Sequence, residues 1–137
     1  MSTINIITGS CLCQEVRYEV TGPATVTLLC HCNNCRKMTG STYMANAIYR
    51  KDQLRIICGE DVLKVYRDNN TESGNTVTRQ FCSNCSSSLF AMSGSDPADA
   101  DTVAITSGTM DLGPSKEEWA PQVEVYCKNR EGVDCSC

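Results

Sequence analysis

Cysteine spacing constrains this chain more than any other feature of its sequence. Cys30, Cys32 and Cys35 form a CxCxxC group, Cys11 and Cys13 a CxC pair, and Cys82 and Cys85 a CxxC pair. On an extended segment Cys30 and Cys32 project to one side, and a bend of the chain brings Cys35 alongside them. Three thiolates then converge on one metal ion, with no fourth ligand nearby in sequence. A zinc ion held by three protein ligands keeps one position open for chemistry, whereas four ligands close the sphere and leave a structural role.

The CxC pair and the CxxC pair together supply four sulfurs for a closed tetrahedral site. Grouping the CxC with the CxCxxC would instead crowd five thiolates into 25 residues and leave the CxxC without a partner. The long-range pairing is preferred. It closes a loop of roughly 70 residues, so loss of the metal should loosen the whole fold, given the ~10 kcal/mol or more that metal binding supplies in small zinc domains. A redox dithiol is the other reading of a CxxC, but it needs a βαβ context that this sequence lacks.

The chain has eleven cysteines among 137 residues, an odd number that forbids complete internal pairing as disulfides. No apolar run approaches the ~18 residues of a membrane helix, and residues 1–5 show no basic stretch followed by an apolar one. A soluble, cytoplasmic protein is expected, and in a reducing compartment thiols serve as metal ligands or reactive groups. Twelve basic and sixteen acidic residues leave a formal charge of −4. Seven thiolates holding two zinc ions would take it to about −7, which argues against nucleic acid as a partner. With only two Phe and one Trp, the core needs help from metal staples.

Short β-patterned runs separated by turn signals fill the chain: residues 3–8, 15–20, 25–29, 43–49, 54–58, 62–66, 77–81, 89–92, 103–106 and 123–126. Cys11 and Cys13 are expected on extended chain, with Leu12 turned towards the core. One helical turn is predicted at 36–38, before Gly40, and a short helix at 115–120, ended by Pro121. Residues 68–75 are polar and aperiodic and read as a surface loop. Residues 131–137, with Cys135 and Cys137, read as a mobile tail. Cys58 and Cys127, each in an apolar run, read as small buried hydrophobes. His31, between two proposed ligands, points opposite to their sulfurs and reads as a core residue or a support for the site. The pattern describes one domain over 1–137, mainly β and mostly antiparallel, with one or two short helices.

In this order the cysteine groups resemble those of the glutathione-dependent formaldehyde-activating enzyme family, which includes the related centromere protein V. The matching stretches are GSCLC at 9–13 with VRYEV at 16–20, CHCNNCRKMTGS at 30–41, FCSNC at 81–85 with Leu89 and Phe90, and SGTMD at 107–111. The resemblance implies a β-rich fold shared with a zinc-binding release factor for Rab GTPases, and two zinc ions per chain. Cys11, Cys13, Cys82 and Cys85 match the structural ion; Cys30, Cys32 and Cys35 match the active-site ion. It also implies an enzyme that joins glutathione to formaldehyde as S-hydroxymethylglutathione, classed as a carbon–sulfur lyase by the reverse direction. Glutathione or a related thiol adduct would be the substrate. The chain departs from the family at Gln14 and Ser86, where Gly is usual, and at Val133, where Trp often follows the Arg-x-Gly segment. His31, Tyr43 and Asp111 adjoin family-like motifs and are the candidates for proton transfer. The competing reading is a non-catalytic, zinc-stapled module that binds a protein partner.

Overall fold

Strand-forming runs in this sequence are short, so the fold is made by stacking many of them. A computed structural model describes residues 5–111 and 120–130. Ten strands appear: β1 (Ile6–Ser10), β2 (Arg17–Thr21), β3 (Val26–Cys30), β4 (Met44–Arg50), β5 (Leu54–Cys58), β6 (Leu63–Asp68), β7 (Val77–Cys82), β8 (Ser88–Ser93), β9 (Thr102–Thr106) and β10 (Val123–Val125). One α-helix, α1 (Asn33–Thr39), joins β3 to β4. The mainly β expectation is met. Strands β1-β2-β5 form a small sheet, and β10-β3-β4-β9-β8-β7-β6 form a large one. Neighbours run antiparallel except β10, which lies parallel to β3 with Val125 beside Cys30. Among the described residues no helix is long and apolar enough to cross a membrane.

Alternation along each strand sorts side chains onto two faces of the large sheet. Ala47 and Tyr49 of β4 lie opposite Ile105 and Val103 of β9, and Phe90 of β8 lies opposite Ile105. These residues pack with Val16, Tyr18 and Val20 from the small sheet's side into one core, which also contains Cys11 and Cys82. The alternate residues of β4 face the other way, and Met44 joins Cys30, Cys32 and Cys35 in a second buried cluster. One strand thus serves both the core and the cysteine trio.

Among the described residues Tyr18 is the largest side chain fully inside the core. Its ring meets Phe90 edge-on at 5.2 Å, and its hydroxyl bonds Thr109 Oγ1 at 2.8 Å. Burial pushes its phenol well above the usual range. The ring fits only because position 9 is glycine: a Cβ there would stand 2.2 Å from the Tyr18 ring.

Several expectations are corrected. The CxC pair lies in a turn rather than on extended chain, with the Gln14 N–H donating to the Cys11 carbonyl at 3.0 Å, and Leu12 is 84% exposed instead of core-facing. Cys58 and Cys127 are exposed, not buried. Cys58 ends β5, at an edge of the small sheet, and Cys127 opens a 3-10 turn after β10, so each thiol falls just past the residues of its run that pack inward, Leu54 and Ile56 in one and Val125 in the other. Helix α1 makes two turns, not one, capped by the Cys32 sulfur and by Gly40 in the left-handed region at φ 70°. Asp68 belongs to β6 and is buried, so the loop begins after it. Most of the expected helix at 115–120 and the expected tail at 131–137, with Cys135, Cys137 and Val133, lie outside the described residues.

Gln14 and Ser86, two of the departures from the family pattern, have φ of 67° and 64°. An L-residue in that region costs roughly 1–2 kcal/mol, which glycine avoids at some entropic expense in the unfolded chain. Ser86→Gly and Gln14→Gly are therefore each expected to stabilise the protein by ~0.5–1 kcal/mol in thermal or denaturant unfolding. A loss of stability would show that their side-chain contacts, Ser86 Oγ to the Cys85 carbonyl and Gln14 Oε1 to Arg17, outweigh the backbone strain.

Candidate metal centres and the cavity beside them

Two similar turns build the first cysteine group. In each, the N–H of the leading cysteine donates to a carbonyl five residues on: Cys11 to Val16 at 3.1 Å and Cys82 to Ser87 at 3.0 Å. The left-handed residues Gln14 and Ser86 close the two turns. Side chains also join the turns directly, since Leu12 N–H donates to Ser87 Oγ at 3.0 Å and Asn84 Nδ2 to Glu15 Oε1 at 3.4 Å.

The result gathers Cys11, Cys13, Cys82 and Cys85 with all four sulfurs within 4.8 Å of one another. Four sulfurs at ~2.3 Å around a tetrahedral zinc would be about 3.8 Å apart. Cys11 and Cys13 stand at 3.5 Å, and Cys13 and Cys82 at 3.8 Å. This group fits a metal ion. Backbone N–H groups already face the sulfurs, as Val16 N–H does Cys11 Sγ at 3.3 Å, which favours thiolates. Cys85 is held down to about 5 by the Ser87 hydroxyl and by the Cys13 N–H, while burial pushes Cys82 up to about 11.

Cys30, Cys32 and Cys35 form the second group, all three buried and with sulfurs within 4.8 Å. Cys30 ends β3 and Cys32 caps α1, its sulfur accepting from the Cys35 N–H at 3.3 Å. Among the described residues no fourth Cys, His, Asp or Glu joins them. The donor set fits a metal ion with one position left for another ligand. Cys30 is lowered to about 6, chiefly by the hydrogen bond from the Cys35 thiol, with a smaller pull from the Arg79 guanidinium. Cys35 is raised by that same hydrogen bond and by burial, and Cys32 by burial first. Without metal, the trio near neutral pH carries one thiolate and two thiols.

The trio opens onto a chamber of about 150 Å³ whose walls include Met44, Val77, Ala91, Asn46 and Arg79. Its floor is the outer face of the large sheet, where Arg79 of β7 pairs with Ala91 of β8. Its roof is the 69–76 loop. Glu72 fixes that loop by accepting the Asn33 N–H at 3.0 Å and Asn129 Nδ2 at 2.7 Å, with Lys128 Nζ at 3.1 Å. These donors, the Asn33 N–H first, hold the Glu72 carboxyl below its usual range. Asn34, Thr71, Glu72 and Arg79 also line an adjoining hollow of about 670 Å³ that includes Lys37 and Tyr66. Between the two spaces sits a buried network: Asp68 accepts Asn34 Nδ2 at 2.8 Å and Arg79 Nε at 3.1 Å.

Over residues 6–129 the chain matches the family model of the glutathione-dependent formaldehyde-activating enzyme. The chain belongs to that family. A protein of Halomonas elongata, provisionally described as a glutathione-dependent formaldehyde-activating enzyme, is 33% identical over 90 residues, covering 62% of this chain and 55% of the relative. The chain thus spans about half the length of the curated relative it matches. A Rhodobacter sphaeroides protein of known crystal structure shares the fold, with a TM-score of 0.61 at 18% identity, over 85% of this chain and 98% of its own.

The structure brings together both cysteine groups read from the sequence of this family member, but none of the three proton-transfer candidates lines the trio's chamber. His31 is buried beside it, with Nε2 3.1 Å from Glu124 Oε1 and its ring 6.0 Å from that of Tyr43. Tyr43 is 41% exposed. Asp111 bonds Thr8 Oγ1 at 3.0 Å and lines a different hollow with Tyr18 and Arg17. Asn46, Asp68, Glu72 and Arg79 were not singled out in the sequence. A polar Asn and a charged Arg inside strand-patterned runs were the available signals for two of them.

Two predictions arise. Cys82→Ala should lower the melting temperature much more than Cys32→Ala, because the quartet ties turns 69 positions apart while the trio comes from one short segment. Equal losses would contradict that division. Metal uptake at the trio, with the quartet loaded, should release about two protons at pH 7.5, those of Cys32 and Cys35. Since Cys30 is ionised only above about 6, the release should approach three below that pH. Calorimetry in buffers of different ionisation enthalpy reads the number, and three at pH 7.5 would be the wrong result.

Proposed function

We propose that this protein is a zinc-dependent enzyme that forms or cleaves the carbon–sulfur bond of a thiol–aldehyde adduct, S-hydroxymethylglutathione or a close relative. The observation that carries the reading is the position of the trio: three buried sulfurs at the end of a small chamber that shares Asn34, Thr71, Glu72 and Arg79 with the wall of a larger polar hollow. Cys11, Cys13, Cys82 and Cys85 would hold a structural zinc, and Cys30, Cys32 and Cys35 the active-site zinc. Bound there, zinc would supply a Lewis acid with an open position, able to keep a thiol deprotonated or to polarise an oxygen.

The protein's own groups do the rest. A space of about 150 Å³ has room for a one- to three-carbon aldehyde and not for a tripeptide, so the body of the thiol carrier belongs in the 670 Å³ hollow. Lys37 there offers a positive charge to a carboxylate such as glutathione carries, while Arg79 is paired with Asp68. The loop held by Glu72 roofs the chamber and limits its contact with water. In the forward sense the thiol sulfur attacks the aldehyde carbon, a carbon–sulfur bond forms, and the proton lost from sulfur ends on the former carbonyl oxygen. Orientation of thiol and carbonyl at van der Waals distance is the protein's main contribution to this step.

Purified protein is expected to contain two zinc ions per chain by metal analysis, and Cys32→Ala one. Glutathione titrated into the wild type should give a calorimetric signal at millimolar concentration or below, absent in Cys32→Ala. Two zinc ions with no binding of glutathione or its formaldehyde adduct would remove the glutathione reading. One zinc ion in the wild type would favour the protein-binding module.

A further inference from the structure

Asn46 occupies a place that packing alone does not favour. It lies in the middle of β4, between Leu28 of β3 and Thr106 of β9, so its backbone is committed to the sheet on both sides. Its side chain falls on the trio's face, is 7% exposed, and lines the chamber with Cys30, Cys32 and Cys35. Its Oδ1 is buried and has no hydrogen-bond partner among the described residues. A buried acceptor left unpaired is destabilising, and a leucine of similar volume would be the better residue for stability at this position. Position 46 therefore holds an acceptor that no described residue satisfies and that faces the space where a ligand would bind.

The chemistry of Oδ1 limits what it recognises. A carbonyl oxygen only accepts, so its partner must bring an O–H or N–H. A thiol–aldehyde adduct carries one hydroxyl, on the carbon next to sulfur, whereas a thioether or a thiolate has no such donor. With sulfur near the trio, a hydroxyl one carbon away stays inside the same small chamber. We propose that Asn46 determines specificity for the adduct, its Oδ1 accepting a hydrogen bond from the adduct's hydroxyl. The inference rests on the trio being the substrate site, as set out above. A site built around a buried hydrogen bond also rejects the analogue lacking the donor, because Oδ1 then stays unpaired.

The experiment compares three ligands by calorimetry on zinc-loaded protein: glutathione, S-methylglutathione, and S-hydroxymethylglutathione formed by pre-equilibrating glutathione with formaldehyde. Wild type should bind the hydroxymethyl compound ~10-fold more tightly than the methyl one. In Asn46→Leu, and in Asn46→Ala as a smaller replacement, that ratio should fall to about one, with glutathione affinity kept. Asn46→Leu without ligand should melt at or above the wild-type temperature. A ratio unchanged in both variants, or absent in the wild type, overturns the role of Asn46 while glutathione binding keeps the functional reading. A melting temperature far below wild type would make Asn46 structural and overturn the proposal too. Wild type that binds none of the three ligands overturns the functional reading itself, and this inference with it.

Discussion

Four sulfurs brought within 4.8 Å of one another set the terms for the rest of this molecule. Thiolates at that spacing repel, and neutral thiols gain little from each other, so the arrangement is stable only with a cation at its centre or with most of its protons retained. Both turns are shaped for the first state. Their N–H groups face sulfur, and their backbones accept the left-handed region at Gln14 and Ser86 to do so. Cys11 and Cys82 are also part of the apolar core, so the quartet and the packing of Tyr18, Leu89 and Phe90 form one continuous interior. In a chain with only two Phe and one Trp, the quartet adds to the aliphatic and tyrosine packing that joins the two sheets.

The large sheet then solves a second problem, which is to support the cysteine trio apart from the main core. Strand alternation does this: Ala47 and Tyr49 of β4 enter the core, while Met44 and Asn46 face the trio. Arg79 on β7 and Ala91 on β8 lie on that same outer face. The chamber floor is therefore sheet backbone, α1 carries Cys35, and the roof is a loop. Asp68 and Arg79, with side chains 10% and 6% exposed, form a buried ion pair that also binds Asn34 of α1. Removing one partner of such a pair leaves a buried charge, typically at a cost of ~3–5 kcal/mol, so the network fixes the helix that carries Cys35.

Most of the strands could be read from the sequence because their alternation or β-branched content is local. The two cysteine groups could be read because ligand spacing is a short-range geometric rule, and counting sulfurs leaves few ways to share them. Leu12, Cys58 and Cys127 misled because an apolar residue states a preference for burial, while coverage depends on what folds over it. Leu12 is held outward by a turn whose two flanking sulfurs point inward to the quartet. The 69–76 loop looked featureless because polar residues without period carry no secondary-structure signal. Its role comes from Glu72 reaching Asn33, Lys128 and Asn129, contacts between segments 39 to 57 positions apart.

The sequence by itself determined that this chain is mainly β with one four-cysteine and one three-cysteine group, since strand period and ligand spacing are properties of adjacent residues. Tertiary structure alone decided what the three-cysteine group faces. The chamber, its roof, the Arg79–Asp68 pair and the Oδ1 of Asn46, unpaired among the described residues, arise where distant strands meet. No local pattern encodes such a meeting, because it depends on strand order and on which face of each strand the register turns outward.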